Sequence, residues 1–437
     1  MRSGFRATIV GVAALGAVPA HPAGALTLFT SGKVGDFRPT RATVRVGADR
    51  ALRTLRRPTC PAASSVRFAL SRRGDDFEDH GEVALPCTRW RAANGGYRYH
   101  APDGGPGGVR EIVYTRRRLV IRAEGSGYTP VAGPVAYVEA WLTIAGERHL
   151  VRLQNFRRNA ADRVASRRPS RAAAMGEAAF WDTLWADRPR SDEALRFLER
   201  AVHDDSGDGR SQFLLGMLRL YRSTRACAEF DFLALCDAGK AEGAAAQTPL
   251  DRAVELLPND SRVPGFRAAT SYANGFEQHD DALLARGQQQ IEAAITANPL
   301  FNSFDAFAVV APILPGTDPY YQDRILPLVD LVFGSASCLL TLPEICNNLG
   351  MAPHNLEGTT LLLGDIDAKG GRLAGAKTWY GLGQAIGRGT AYRYQSDLDD
   401  RVAHAADRVA AYQDADPTND PPLIGGGGGS CVYCHNK

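Results

Sequence analysis

The hydrophobic period of this chain changes once, near residue 156, and that change divides what it can fold into. Before it, apolar residues recur at every second position, as strands with one buried face require. Thr43-Val44-Arg45-Val46, Val66-Arg67-Phe68-Ala69-Leu70, Ile112-Val113-Tyr114 and Leu119-Val120-Ile121 are such runs. Two longer runs, residues 135–144 and 149–153, flank Ala145-Gly146-Glu147-Arg148 and predict a hairpin. Glycine and proline punctuate the runs, as at Asp103-Gly104-Gly105-Pro106-Gly107-Gly108. Short strands at this spacing predict an antiparallel β-sandwich over residues 26–155. It holds no paired carboxylates and no histidine cluster, so a structural or adhesive role is expected of it.

Residues 156–171 contain Arg157, Arg158, Arg163, Arg167, Arg168 and Arg171. They are expected to form an exposed basic linker, with a polyanion-binding patch as the alternative. Over residues 172–416 the period is helical. Ser191-Asp192-Glu193 opens one helix, with Ala194, Leu195, Leu198, Ala201 and Val202 on its apolar face. Phe213, Leu214, Gly216, Met217 and Leu220 mark the next. Helices that end at Pro258 and Pro299 carry Ala253 and Ala294 five residues before the proline. Leu363-Gly364, then Ala376 and Tyr380, follow the same small-residue and aromatic order. These positions resemble the tetratricopeptide repeat. The resemblance implies helix pairs packed closely through small residues, with a concave surface for a partner or ligand. Repeat spacing is irregular and the first-helix Trp is missing, so a degenerate α-helical repeat domain is expected. A last helix spans residues 396–412, with Leu398, Val402, Ala405, Val409 and Tyr412 on one face. A Pro/Gly-rich linker, residues 417–430, then leads to a short tail, residues 431–437. The fold class expected is therefore multidomain β + α with a glycine-linked C-terminal tail.

The N-terminus reads as an export signal over residues 1–25. Arg2 and Arg6 precede a short apolar run, and Ala23-Gly24-Ala25 fits a cleavage site near Ala25. No apolar run is long enough for a transmembrane helix. No Cys occurs before Cys60, which argues against lipid attachment near the start. A periplasmic or extracellular location follows. The eight cysteines suit that oxidising compartment. Cys60 with Cys87, Cys227 with Cys236, and Cys338 with Cys346 are candidate disulfides by proximity in sequence. Spacing alone does not fix the pairing.

Cys431-Val432-Tyr433-Cys434-His435 is C-x-x-C-H, the attachment sequence of c-type haem. Two thiols at this spacing can take the two vinyl groups of a haem, and the adjacent imidazole can ligate the iron. Cys431, Cys434 and His435 are thus candidate ligands of one covalent haem c, with His435 proximal. A tail disulfide and a zinc or copper site are the competing readings. His354, in Ala352-Pro353-His354-Asn355-Leu356-Glu357-Gly358, is the candidate distal iron ligand; Met351 and His404 come after it. Nothing follows the motif to wrap a haem, so a docked haem is expected, the glycines Gly425 to Gly429 acting as a hinge. Pro353-His354-Asn355-x-Glu357-Gly358, Gly364-Asp365 and the terminal C-x-x-C-H together resemble the end of an uncharacterised group of secreted bacterial proteins, which implies no established activity.

Other motifs are poor. Gly381-x-Gly383-x-x-x-Gly387 is misspaced for a dinucleotide loop. Asp204-x-Ser206-x-Asp208-Gly209 opens like a calcium loop but lacks the closing Glu. No nucleophile elbow or phosphate loop is present, and no catalytic residue is assigned. A net charge of +3 is too small to suggest nucleic acid or an anionic surface as partner. The expected protein is an electron carrier or binding protein rather than a catalyst. It would meet a redox partner protein or a neighbouring subunit, a second copy included. The alternative is a haem-free secreted scaffold with a tail disulfide.

Overall fold

The computed structural model describes residues 26–437 except 31, 48, 50–51, 53–57, 59–63, 73–77, 94, 186–189, 228–234, 334–354, 391, 415, 417–418, 424–433 and 435–437. Two sheets form the first half. The five-stranded sheet runs β1-β11-β10-β4-β5, from Leu26–Leu28, Glu147–Leu153, Tyr137–Ile144, Ser64–Ser71 and Glu78–Leu85. The eight-stranded sheet runs β12-β13-β2-β3-β9-β8-β7-β6. Its strands are Phe156–Ala160, Arg163–Ser166, Val34–Arg38, Arg41–Gly47, Arg118–Glu124, Val109–Thr115, Gly96–His100 and Trp90–Ala93, in that order. Every pairing is antiparallel except β1 on β11, a parallel contact that the alternation pattern does not encode. The inward residues of both sheets share one core, in which Val66, Phe68, Val138 and Leu142 meet Phe37, Val44, Ile112 and Ile121. Phe68 stacks edge-on against both Phe37 and Tyr128. The expected sandwich is present. Its hairpin turns through Ala145 and Gly146 alone, at φ 52° and 82°, with Ile144 opposite Glu147.

The basic stretch departs from expectation. Residues 156–166 are not a linker: β12 and β13 form a hairpin that extends the eight-stranded sheet onto β2. β12 is the edge strand, and Arg157 and Arg158 on it are both exposed. Val164 and Ala165 of β13, one strand in, are wholly buried. The β region therefore reaches Ser166, and the first helix begins at Arg171.

The helical half is a run of hairpins. The pairs are α1 (Arg171–Trp185) with α2 (Ser191–Asp204), α3 (Gly209–Ser223) with α4 (Asp237–Leu256), and α5 (Val263–Gln278) with α6 (Asp281–Ala297). After α7 (Pro299–Asp305) and α8 (Leu326–Phe333) come α9 (Leu356–Lys369), α10 (Leu373–Thr390) and α11 (Gln395–Gln413). The first helix of each pair brings a glycine to the crossing. A Cβ on Gly176 would lie 2.8 Å from Leu198, one on Gly216 2.4 Å from Leu250, and one on Gly364 2.4 Å from the Tyr380 ring. Ala253, Ala294 and Ala376 are buried, as the small-residue order requires. Helix α2 starts without a side-chain cap: Ser191 is its first residue, and Arg190 occupies the cap position. Among the described residues no helix is long and apolar enough to cross a membrane.

Candidate functional site

Helix α9 is the axis of the last hairpin, and every residue from Glu357 to Lys369 is buried. Asn355 caps it: the side-chain oxygen accepts from the Gly358 N–H at 2.6 Å, and the main-chain carbonyl accepts from the Thr359 hydroxyl at 2.9 Å. The Asn355 N–H points out of the helix start and donates to the carbonyl of Cys434 at 2.7 Å. The tail thus takes up a backbone donor at the positive end of the most buried of the described helices, where a carbonyl dipole is well placed. Cys434 is only 4% exposed. In the first turn, Glu357 is buried and accepts from the Thr390 hydroxyl of α10.

The chain that feeds the tail is held as well. Asp365 is wholly buried and accepts from the Tyr380 hydroxyl at 2.6 Å, from Arg401 at 3.2 Å and from Arg408 at 3.1 Å. Burial and the facing carboxylate push the Tyr380 hydroxyl far up from its ordinary pKa, so it stays a donor. Arg408 also donates to the Pro422 carbonyl at 3.2 Å, and Tyr412 donates to that of Pro421 at 2.5 Å. Leu423 rests on the apolar clusters beside them. The helical body therefore grips the chain at residues 421–423 and again at Cys434, with the glycine run between the two grips.

Of the expected haem ligands, Cys434 is placed at this dock. Cys431, His435, His354 and Met351 lie outside the described residues. His354 precedes Asn355, the residue on which the tail rests, so the dock adjoins the expected distal ligand in sequence. His404 stands away from any such role: its side chain is 58% exposed and bonded to Asp400 at 2.9 Å. Among the described residues no group of three or more His, Cys, Asp or Glu side chains could hold a metal ion.

Cys227 and Cys236 form a disulfide, and Cys87 is disulfide-bonded. Cys60, Cys338 and Cys346 lie outside the described residues. The calcium-like segment is a helix start: Asp208 caps α3 through the Ser211 N–H and hydroxyl, and accepts from Asn155 of the sandwich at 2.9 Å. Burial pushes its carboxyl pKa up. Gly383 and Gly387 serve helix packing in α10, against Thr360 and Gln395. Sequence reasoning missed Arg401 and Arg408. Both sit where a solvent-facing helix normally carries arginine, and nothing local points them at Asp365. No protein-family model, no curated protein and no solved structure matches this chain.

Proposed function

We propose that this is an exported monohaem c-type cytochrome-like protein, in which a tetratricopeptide-like helical domain docks a redox partner and carries the haem tail. The observation that supports this reading is the docking of Cys434 on the start of α9. A loose tail would leave an attached apolar ring in water, whereas this one is held against the helical body. Cys431 and Cys434 would hold the group by thioether links, His435 would be the proximal ligand and His354 the distal one. Haem bound there supplies one-electron chemistry at iron. Asn355 would orient the main chain of the motif at Cys434, and Arg408 and Tyr412 hold the chain before it at Pro422 and Pro421. Export through the signal at residues 1–25 fits the compartment in which such links are made.

One observation favours the haem-free scaffold instead: the Cys434 thiol is already covered by protein. Intact mass and haem staining separate the two. The chain is exported in a host with c-type maturation machinery, beside C431A/C434A. A covalent increment of one haem that vanishes in the double variant is expected. An unmodified mass overturns the cytochrome reading. His354→Ala should then shift the iron absorption spectrum; an unchanged spectrum removes His354 as distal ligand.

A further inference from the structure

The outward face of the eight-stranded sheet is strongly basic. Strand alternation sends Phe37, Val44, Ile112 and Ile121 into the core, so the residues between them project to solvent. Glu111 is bridged by Arg98 at 2.6 Å and also by Arg122. Glu124 pairs with Arg110 at 2.7 Å, and Asp36 pairs with Arg163 at 2.9 Å and Arg38 at 3.5 Å. Arg41 and Arg45 on β3, Arg118 on β9 and Arg91 on β6 are exposed and have no carboxylate partner among the described residues. Nine arginines less three carboxylates leave six positive charges on this face, more than the +3 of the whole chain. The rest of the molecule is therefore net acidic, and the small total charge conceals a segregated field.

We propose that this face docks on a membrane surface of anionic lipid phosphates. The charges are spread in two dimensions, over β13, β2, β3, β9, β8, β7 and β6, with strands about 4.8 Å apart. One linear polyanion lying along a row meets a few of these arginines. A planar array of headgroups meets them together. The aromatic residues of the same strands turn away from the face: Trp90, Tyr97 and Tyr114 contact one another on the core side. Among the described residues no Phe, Tyr or Trp ring lies on the face as a stacking platform for single-stranded bases. Guanidinium groups present forked donors that match phosphate oxygens, and such binding is screened by salt.

The test is co-sedimentation of the full mature chain with vesicles, and it is independent of the haem reading. One set is equimolar phosphatidylglycerol and phosphatidylcholine, the other phosphatidylcholine alone. Binding to the first set only, weakened by salt, is expected. Near an anionic surface each arginine is worth about fivefold in affinity, so R41S/R45S/R118S should lose roughly a hundredfold. None of the three is ion-paired, so the variant should keep the wild-type melting temperature. R196S/R286S/R388S, with the same charge change on the helices, should bind as wild type does. Absence of binding to anionic vesicles overturns the proposal, as does equal loss in the two triple variants. Binding of heparin or duplex DNA that R41S/R45S/R118S abolishes, with vesicles ignored, also overturns it and assigns the face to a linear polyanion.

Discussion

His149 lies in β11 at an inward position, 1% exposed, with its ring 5.9 Å from that of Phe29. Neither ring nitrogen has a hydrogen-bond partner among the described residues. Burial lowers its pKa from 6.5 to about 4, against a small opposing pull from Glu147. The folded protein therefore holds a neutral imidazole that the unfolded chain protonates below pH 6.5. The stabilisation is complete above pH 6.5 and is lost as the pH falls toward 4. The two values correspond to about 3 kcal/mol across that window. His149→Leu should flatten the decline in melting temperature between pH 6.5 and 4. It should also raise stability at neutral pH, since it removes an unsatisfied buried polar group worth about 1–3 kcal/mol. An acid profile identical to wild type would exclude His149 as the cause. The inward register of residue 149 was legible from the alternating run at 149–153. The orphaned imidazole was not, because a hydrogen-bond partner is a property of distant chain.

Among the elements, the last helical hairpin gives two glycines with opposite roles. Gly364 in α9 is crossed by the Tyr380 ring, which Asp365 locks in place, so the ring cannot yield to a new methyl. Gly381 in α10 faces open space. Gly364→Ala should cost about 1–3 kcal/mol by overpacking. Gly381→Ala should stabilise by about 1 kcal/mol through helix propensity. Urea midpoints of the two variants decide it; equal shifts of one sign would mean that the crossing leaves room for a methyl at Gly364. The order Leu363-Gly364, Ala376, Tyr380 made this hairpin legible in sequence, since close crossing demands a small residue opposite an aromatic. The β12–β13 hairpin was misread for a physical reason. An edge strand exposes much of its backbone and side chains, so Arg157, Arg158 and Arg163 swamp the short apolar signal of Val164 and Ala165. The tail was legible as a motif only. That its main chain docks on the Asn355 N–H rests on a contact between residues 79 positions apart, for which no periodicity gives warning.

Across the whole molecule, sandwich and helices meet through buried charge. Glu177 of α1 accepts from Lys33 of the sandwich at 2.8 Å and from Arg210 of α3 at 2.9 Å. Arg210 also reaches Gln154 at 3.0 Å, and Gln154 bonds Asp260 at 2.6 Å. Asp260 holds Arg262 over the Tyr137 ring. These partners are separated by up to 144 residues, so no local pattern could have shown them. Burial by itself would raise the pKa of Glu177, but Lys33 and Arg210 hold it down, from 4.5 to about 2. Burial lowers Lys33 even beside that carboxylate, so the lysine offsets part of what the glutamate contributes. The Glu177 contribution is complete above pH 4.5 and is lost as the pH falls through about 2, a window below that of His149. Glu177→Gln keeps the shape but strands two buried cations, at about 3–5 kcal/mol. Because those cations sit on opposite sides of the β–α interface, the loss should fall on the coupling between the halves. Calorimetry at neutral pH should show one transition for the wild type and two for Glu177→Gln, with the sandwich and the helices melting separately. A single transition in the variant, merely shifted down, would mean that apolar contacts alone couple the two halves.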